Sequence, residues 1–322
     1  RDQVEAVRFT VRPEAGGEVI AAFSDTRFEY DGAEARFWLP RDLPVGKYVV
    51  RAAILDGDQQ VLDQQDKSFE VKDLNESFHW YGNDIAEDIE VAPPFMPIRI
   101  RQSVISVWGR DYDMGIAGPD RISSQGEAML ARPIALVAEV AGRAIQARQG
   151  KWYITDHGPS EVTFTSEFEL VGHDAKLNGR IAFDGMIHYD LTLTPGPDAK
   201  RLDGLYISMP ARPEVARYYF TSGGGWSGSF GYVPEDPSDG PFWTSQGFAD
   251  FVPYVGLTDD HRALQWFADH AHDWVLGDKP MVTLHRAADA VEARIHLVQQ
   301  PVTLTDPLEA SYGFIASPVK PM

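Results

Sequence analysis

Short runs of alternating apolar and polar residues recur along nearly the whole chain. In the first seventy residues VRFTV (7–11), VIAAF (19–23), ARFWL (35–39), KYVVRAAIL (47–55) and KSFEV (67–71) carry the period of two that half-buried strands show. Turn residues separate them at Gly16-Gly17, Asp31-Gly32, Pro44 to Gly46 and Asp56-Gly57. Short strands at this spacing predict a small immunoglobulin-like sandwich over residues 1–74, with the stretch from Leu43 to Leu62 forming a hairpin about its Asp-Gly turn. A polar break at Lys72 to Glu76 marks the boundary to a second domain, 75–322.

The second domain repeats the pattern at greater length. After the proline-rich VAPPFMPIRI, which reads as an extended edge or crossing segment, strand candidates follow at 103–114, 122–130, 134–140, 151–157, 162–170, 177–195, 202–210 and 216–220. Three more stand at 281–286, 291–304 and 311–317. About seventeen strands in all predict an all-β chain whose second domain is a large antiparallel sandwich, since a single sheet of that many strands would curl or split. One short helix is expected from Thr258 to about His270. Leu264, Phe267, Ala268 and Ala271 share one face at helical spacing there, with Thr258 or Asp259 as N-cap and Asp259 and Asp260 at the positive end of the dipole.

Composition narrows the chemistry. The formal charge of −19 argues against a nucleic-acid binder and against an anionic membrane surface. Cysteine is absent, so disulfides and thiolate metal sites are excluded, and no apolar run approaches the ~20 residues of a membrane span. A start at Arg1-Asp2 suggests a processed or trimmed product.

Motifs for catalysis are missing. The Gly-rich SGGGWSGSFG (222–231) lacks the Lys-Ser/Thr ending of a phosphate loop and reads as a turn carrying exposed rings. The acidic EDPSDGPFW (235–243) does not have EF-hand spacing, and His270 and His272 stand two apart where zinc would want a wider set, so no metal or cofactor is expected. G-x-S-x-G is absent, and with 48 acidic residues a carboxylate pair at glycosidase distance carries no information. No catalytic residue can be read from the pattern.

The wording of the second domain is more specific. WYGNDIAEDIEVAPPFMPIRI, SVWGRDYDM, ISSQGEAMLARPI, FDGMIHYDLTLTP, FWTSQGFADFVPYVGLTDDHRALQWFADHAHDW and FIASPVKPM, in that order, resemble the N-terminal β-sandwich region of bacterial proteins related to glycoside hydrolase family 123, the β-N-acetylgalactosaminidase family. The resemblance covers residues 76–322. It implies a carbohydrate context, a catalytic (β/α)8 barrel in the same polypeptide beyond this chain that holds the catalytic carboxylates, and a secreted or periplasmic location. A departure is Gly256, where a bulky aromatic residue is expected; it either opens a pocket or changes the packing.

On this reading the partner is an oligo- or polysaccharide. Trp226, Phe242 and Trp243 are the candidate stacking rings, and Asp250 and Asp259 the candidate acceptors for sugar hydroxyls. A second reading is an enzyme complete in this chain, a lyase or epimerase on a large sandwich, with Arg217, Tyr218, Tyr219 and His188 as its candidates.

Overall fold

The computed structural model describes residues 4–25, 39–40, 43–78, 90–147, 149–222, 228–247 and 251–320. The expected strand at 35–39 and the FHWYGN stretch fall largely outside them. The chain forms two compact units, Arg1–Asp88 and Ile89–Met322.

In the first unit the described strands build one antiparallel sheet, ordered Ala21–Asp25, Ala6–Pro13, Gly46–Leu55, Val61–Val71. The expected hairpin is present. Asp56 closes its turn by accepting hydrogen bonds from the backbone N–H groups of Asp58 and Gln60 at 3.0 and 2.8 Å. Val11, Tyr48 and Leu55 are buried, and Arg51 clasps Asp66 on the neighbouring strand through two nitrogens at 2.7 and 2.8 Å.

The second unit contains three antiparallel sheets. A nine-stranded sheet runs Gly150–His157, Glu161–Leu170, His173–Ala182, Ile187–Pro195, Leu308–Ser317, Ala263–Phe267, Tyr254–Thr258, Tyr218–Ser222, Gly228–Tyr232. A six-stranded sheet runs Arg143–Gln146, Ala135–Val140, Gly204–Ala211, Val291–Val298, Val282–Arg286, Pro241–Thr244. Alternation supplies one apolar face to each. Val255, Leu257, Leu264, Trp266 and Phe314 of the first join Leu205, Ile207, Met209, Ala293 and Ile295 of the second in one continuous core. Each large side chain withdrawn in this way contributes on the order of 1.5–3 kcal/mol.

A five-stranded sheet, Arg99–Arg101, Val104–Val107, Arg110–Met114, Pro119–Ser124 and Glu127–Ala128, adds its own apolar face of Ile105, Tyr112, Met114 and Ile122 to that core. Buried Arg110 fixes it in place, donating to the carbonyls of Ala316 and Val319 at 2.8 and 3.0 Å, while the Tyr112 hydroxyl donates to Gly185 at 3.0 Å. The all-β, sandwich-type architecture is therefore the one the alternation predicts.

The helix expected from Thr258 is absent. Residues Tyr254–Thr258 and Ala263–Phe267 are the two strands of a hairpin within the nine-stranded sheet. The residues taken as caps close the turn instead. Asp259 accepts from the backbone N–H groups of His261 and Arg262 at 2.7 and 2.6 Å, and the Thr258 hydroxyl donates to the Arg262 carbonyl at 2.7 Å. The Ala263–Phe267 strand also gains a partner far away in sequence, Leu308–Ser317, which no local period reveals.

Candidate functional site: an aromatic face on the nine-stranded sheet

Register places rings on the outward face of this sheet at one end. Tyr218 stands opposite Tyr232 and Phe220 opposite Phe230, and Ser222 faces Tyr254 on the other side. Tyr218 and Tyr232 meet edge-on at 5.2 Å between centroids; Phe220 and Tyr254 lie 5.9 Å apart. Phe230 and Tyr232 are 86% and 81% exposed, an unusual degree for such large rings.

Glycine makes room for two of the rings on this face. A Cβ on Gly256, directly opposite Phe220, would stand 2.2 Å from the ring, so Phe220 lies down across the space where that side chain would be. Phe267 uses Gly313 in the same way, at 2.3 Å, and His188 packs edge-on against Phe267 at 5.4 Å. Gly256 thus changes the packing, and the ring of Phe220 fills the gap.

Polar groups rim the face. Asp260 accepts from Arg217 at 2.7 Å and from the Tyr218 hydroxyl at 3.1 Å, and the guanidinium of Arg217 sits 5.5 Å from the Tyr218 ring centre. The hydrogen bond to Asp260 raises the Tyr218 phenol above its ordinary value. Burial lowers the His188 imidazole below its ordinary value. Flat rings beside fixed donors and acceptors can hold a ligand with an apolar face and a polar rim. Asp260 is already engaged by two partners, which leaves this face suited to binding.

Sequence-predicted residues fall elsewhere or outside view. Trp226 and Asp250 lie outside the described residues. Phe242 and Trp243, on the edge strand of the six-stranded sheet, are half-buried and pack against Tyr219 at 5.7 and 5.9 Å, at the margin of the core. Asp259 is consumed by its turn. Burial alone would raise its carboxyl, but the N–H groups of His261 and Arg262 and the Arg262 side chain outweigh that and hold it low. Of the four residues in the second reading, Tyr218 and His188 share the outward face with Arg217 at its rim, whereas Tyr219 points into the sandwich. Tyr232 and Phe220 were missed, and Phe230 was read only as an exposed ring of the Gly-rich turn. Their signal was the matched Tyr-x-Phe and Phe-x-Tyr alternation of two neighbouring strands, read as two separate segments.

The outward face of the six-stranded sheet is chemically denser. Glu292 accepts from Ser208 and takes two nitrogens of Arg294 at 3.0 and 2.8 Å, and Arg294 lies 5.3 Å from the Tyr206 ring centre. The Thr283 hydroxyl stands between His285 Nε2 at 2.9 Å and His296 Nε2 at 3.3 Å. Burial pulls both histidines down to about 4. It would raise Glu292, but the bonds from Arg294 and Ser208 prevail and keep that carboxyl below its usual range. Glu292, Ser208, Thr283 and His296 are buried, and of their polar atoms only His296 Nδ1 lacks a partner, so this is a nearly closed hydrogen-bonded lattice. Among the described residues no three His, Asp or Glu side chains are placed to hold a metal ion, and no helix is long and apolar enough to cross a membrane.

Comparison with known proteins gives this geometry a setting. No curated protein matches the chain. Two solved structures from Enterococcus faecalis, a protein in glycosyl hydrolase family 38 and an alpha-mannosidase of strain V583, align over 96% of the chain at 9% and 8% identity, with TM-scores of 0.48 and 0.49. The chain spans 38% of the length of each. Residues 98–238 match the family model for the third domain of glycoside hydrolase 123. The resemblance carried by the wording of residues 76–322 is borne out over that stretch, and the chain is a β-rich protein associated with glycoside hydrolases.

Proposed function

We propose that the chain is the accessory β-sandwich portion of a bacterial glycoside hydrolase-like protein. It contributes saccharide contacts beside a catalytic (β/α)8 barrel that carries the acid pair. The observation that supports the saccharide contact is the outward aromatic face, above all Phe230 and Tyr232, which remain 86% and 81% exposed on the edge strand of the sheet. Sugar rings present C–H faces that stack on such platforms, and the Arg217–Asp260–Tyr218 rim offers fixed partners to their hydroxyls.

A hydrolysis assay of this chain with aryl N-acetylgalactosaminides and a polysaccharide panel, run beside a binding titration, tests the reading. Binding without hydrolysis is expected. Hydrolysis by this chain alone, abolished by substitution within it, would overturn the accessory role.

A further inference from the structure

A separate concavity of the second unit lies on the outward face of the five-stranded sheet. It is a groove of about 1010 Å³, at the upper end of the ~300–1,000 Å³ typical of small-ligand clefts. Register arranges its floor in two rows. One reads Arg99, Ser106, Asp111, Ser123 across four strands; the next reads Arg101, Val104, Asp113, Arg121.

The pairing within these rows runs against first expectation. Asp113 stands directly opposite Arg121, yet takes its hydrogen bond from Ser103 at 2.6 Å. Asp111 takes Ser106 at 2.6 Å and Ser123 at 3.4 Å. The carboxylates are thus occupied by hydroxyls. Salt bridges and hydrogen bonds from Arg51, Arg110, Arg132, Arg212, Arg217, Arg262 and Arg294 are all present elsewhere in the chain. Arg99, Arg101 and Arg121, like Arg143 and Arg201 outside the groove, have none, and all three are exposed. Three exposed guanidinium groups in one groove, none in a salt bridge and only Arg121 felt by a neighbouring carboxylate, that of Asp120, are free to take an anion from outside.

We propose that this groove binds an anionic saccharide, a sugar bearing sulfate or carboxylate groups. The inference rests on the saccharide reading above. The guanidinium groups take the charged substituent in bidentate fashion, and the serine and aspartate oxygens meet ring hydroxyls. Two carboxylates in the floor and the overall negative charge repel a continuous polyanion such as a nucleic acid. Sparse charge on a polyol is the chemistry that suits both halves of the groove.

The test is a calorimetric titration of the whole chain with three probes: a sulfated N-acetylhexosamine–uronate disaccharide, a neutral N-acetylhexosamine disaccharide, and sodium sulfate. Two variants accompany it, Arg101→Gln/Arg121→Gln for the groove and Phe230→Ala/Tyr232→Ala for the aromatic face, with thermal melts to verify folding. The expected result is that the sulfated disaccharide binds at least about tenfold more tightly than either other probe. That advantage should shrink in high salt and vanish in the arginine variant alone. Equal binding of sulfate ion would reduce the groove to an anion site and overturn the saccharide assignment. Equal binding of the neutral probe, or an arginine variant that binds as wild type, would overturn it as well. Neutral binding lost only in the aromatic variant, with no anionic advantage, sinks this inference while the proposed function stands. Anionic binding through the arginines with no neutral binding does the reverse to the aromatic face.

Discussion

On the nine-stranded sheet the outward positions of Tyr218–Ser222 and Gly228–Tyr232 carry four rings, two of them almost wholly in solvent. On the six-stranded sheet the equivalent outward positions of Gly204–Ala211 and Val291–Val298 carry Tyr206, Ser208, Glu292, Arg294 and His296, which are joined by hydrogen bonds and ring contacts and, Arg294 apart, are buried. The same two-residue alternation builds both faces, and the inward face is apolar in each. The outward chemistry decides their parts. A lattice of mutual hydrogen bonds contributes to stability and offers little to a ligand. An exposed array of rings, with Phe220 laid over Gly256, contributes little to stability and offers much. Breaking each face should therefore give opposite results.

The largest effect is expected from Glu292→Ala. It leaves Arg294 without its partner above Tyr206 and Ser208 without an acceptor, at a cost of about 3 kcal/mol. Urea unfolding measures it; a loss below about 1 kcal/mol would show that the lattice is not structural.

Acid should act on the same face. Folding lowers His285 and His296 from 6.5 to about 4, so between those values the unfolded chain binds more protons. Their contribution is complete above pH 6.5 and is lost as the pH falls towards 4. His296 accounts for up to about 3 kcal/mol of that loss, and the less enclosed His285 for less. Unfolding curves across this range should be distinctly flatter for His296→Gln, and an unchanged slope would contradict the assignment.

A smaller loss, about 2 kcal/mol, is expected for Gly256→Val, because its Cβ collides with Phe220. Adding Phe220→Ala should restore part of it, and a double-mutant cycle reads the coupling. Simple additivity would mean that the ring does not occupy the space above Gly256.

The strands were legible because alternation needs only a few consecutive residues. The hairpin at Tyr254–Phe267 was not, since Leu264, Phe267, Ala268 and Ala271 also satisfy a helical period, and a short apolar run cannot decide between the two. Asp259 misled for a related reason: an aspartate that accepts backbone N–H groups ahead of an apolar run serves a helix cap and a hairpin turn equally well. The aromatic face was only half legible. Tyr218 was in view as a candidate, but its neighbours Phe230 and Tyr232 are joined to it by register, which is a property of the folded sheet. Phe242 and Trp243 drew attention as large rings, and size alone does not separate a ring at the core margin from one in solvent.

The most direct measurement compares wild type with Phe230→Ala/Tyr232→Ala in both unfolding and saccharide titration. Stability should change by less than about 0.5 kcal/mol, since the rings are exposed, while affinity for a neutral N-acetylhexosamine oligosaccharide falls at least about tenfold. Unaltered affinity, or a large loss of stability with it, would contradict the claim that this face exists to be covered by a sugar.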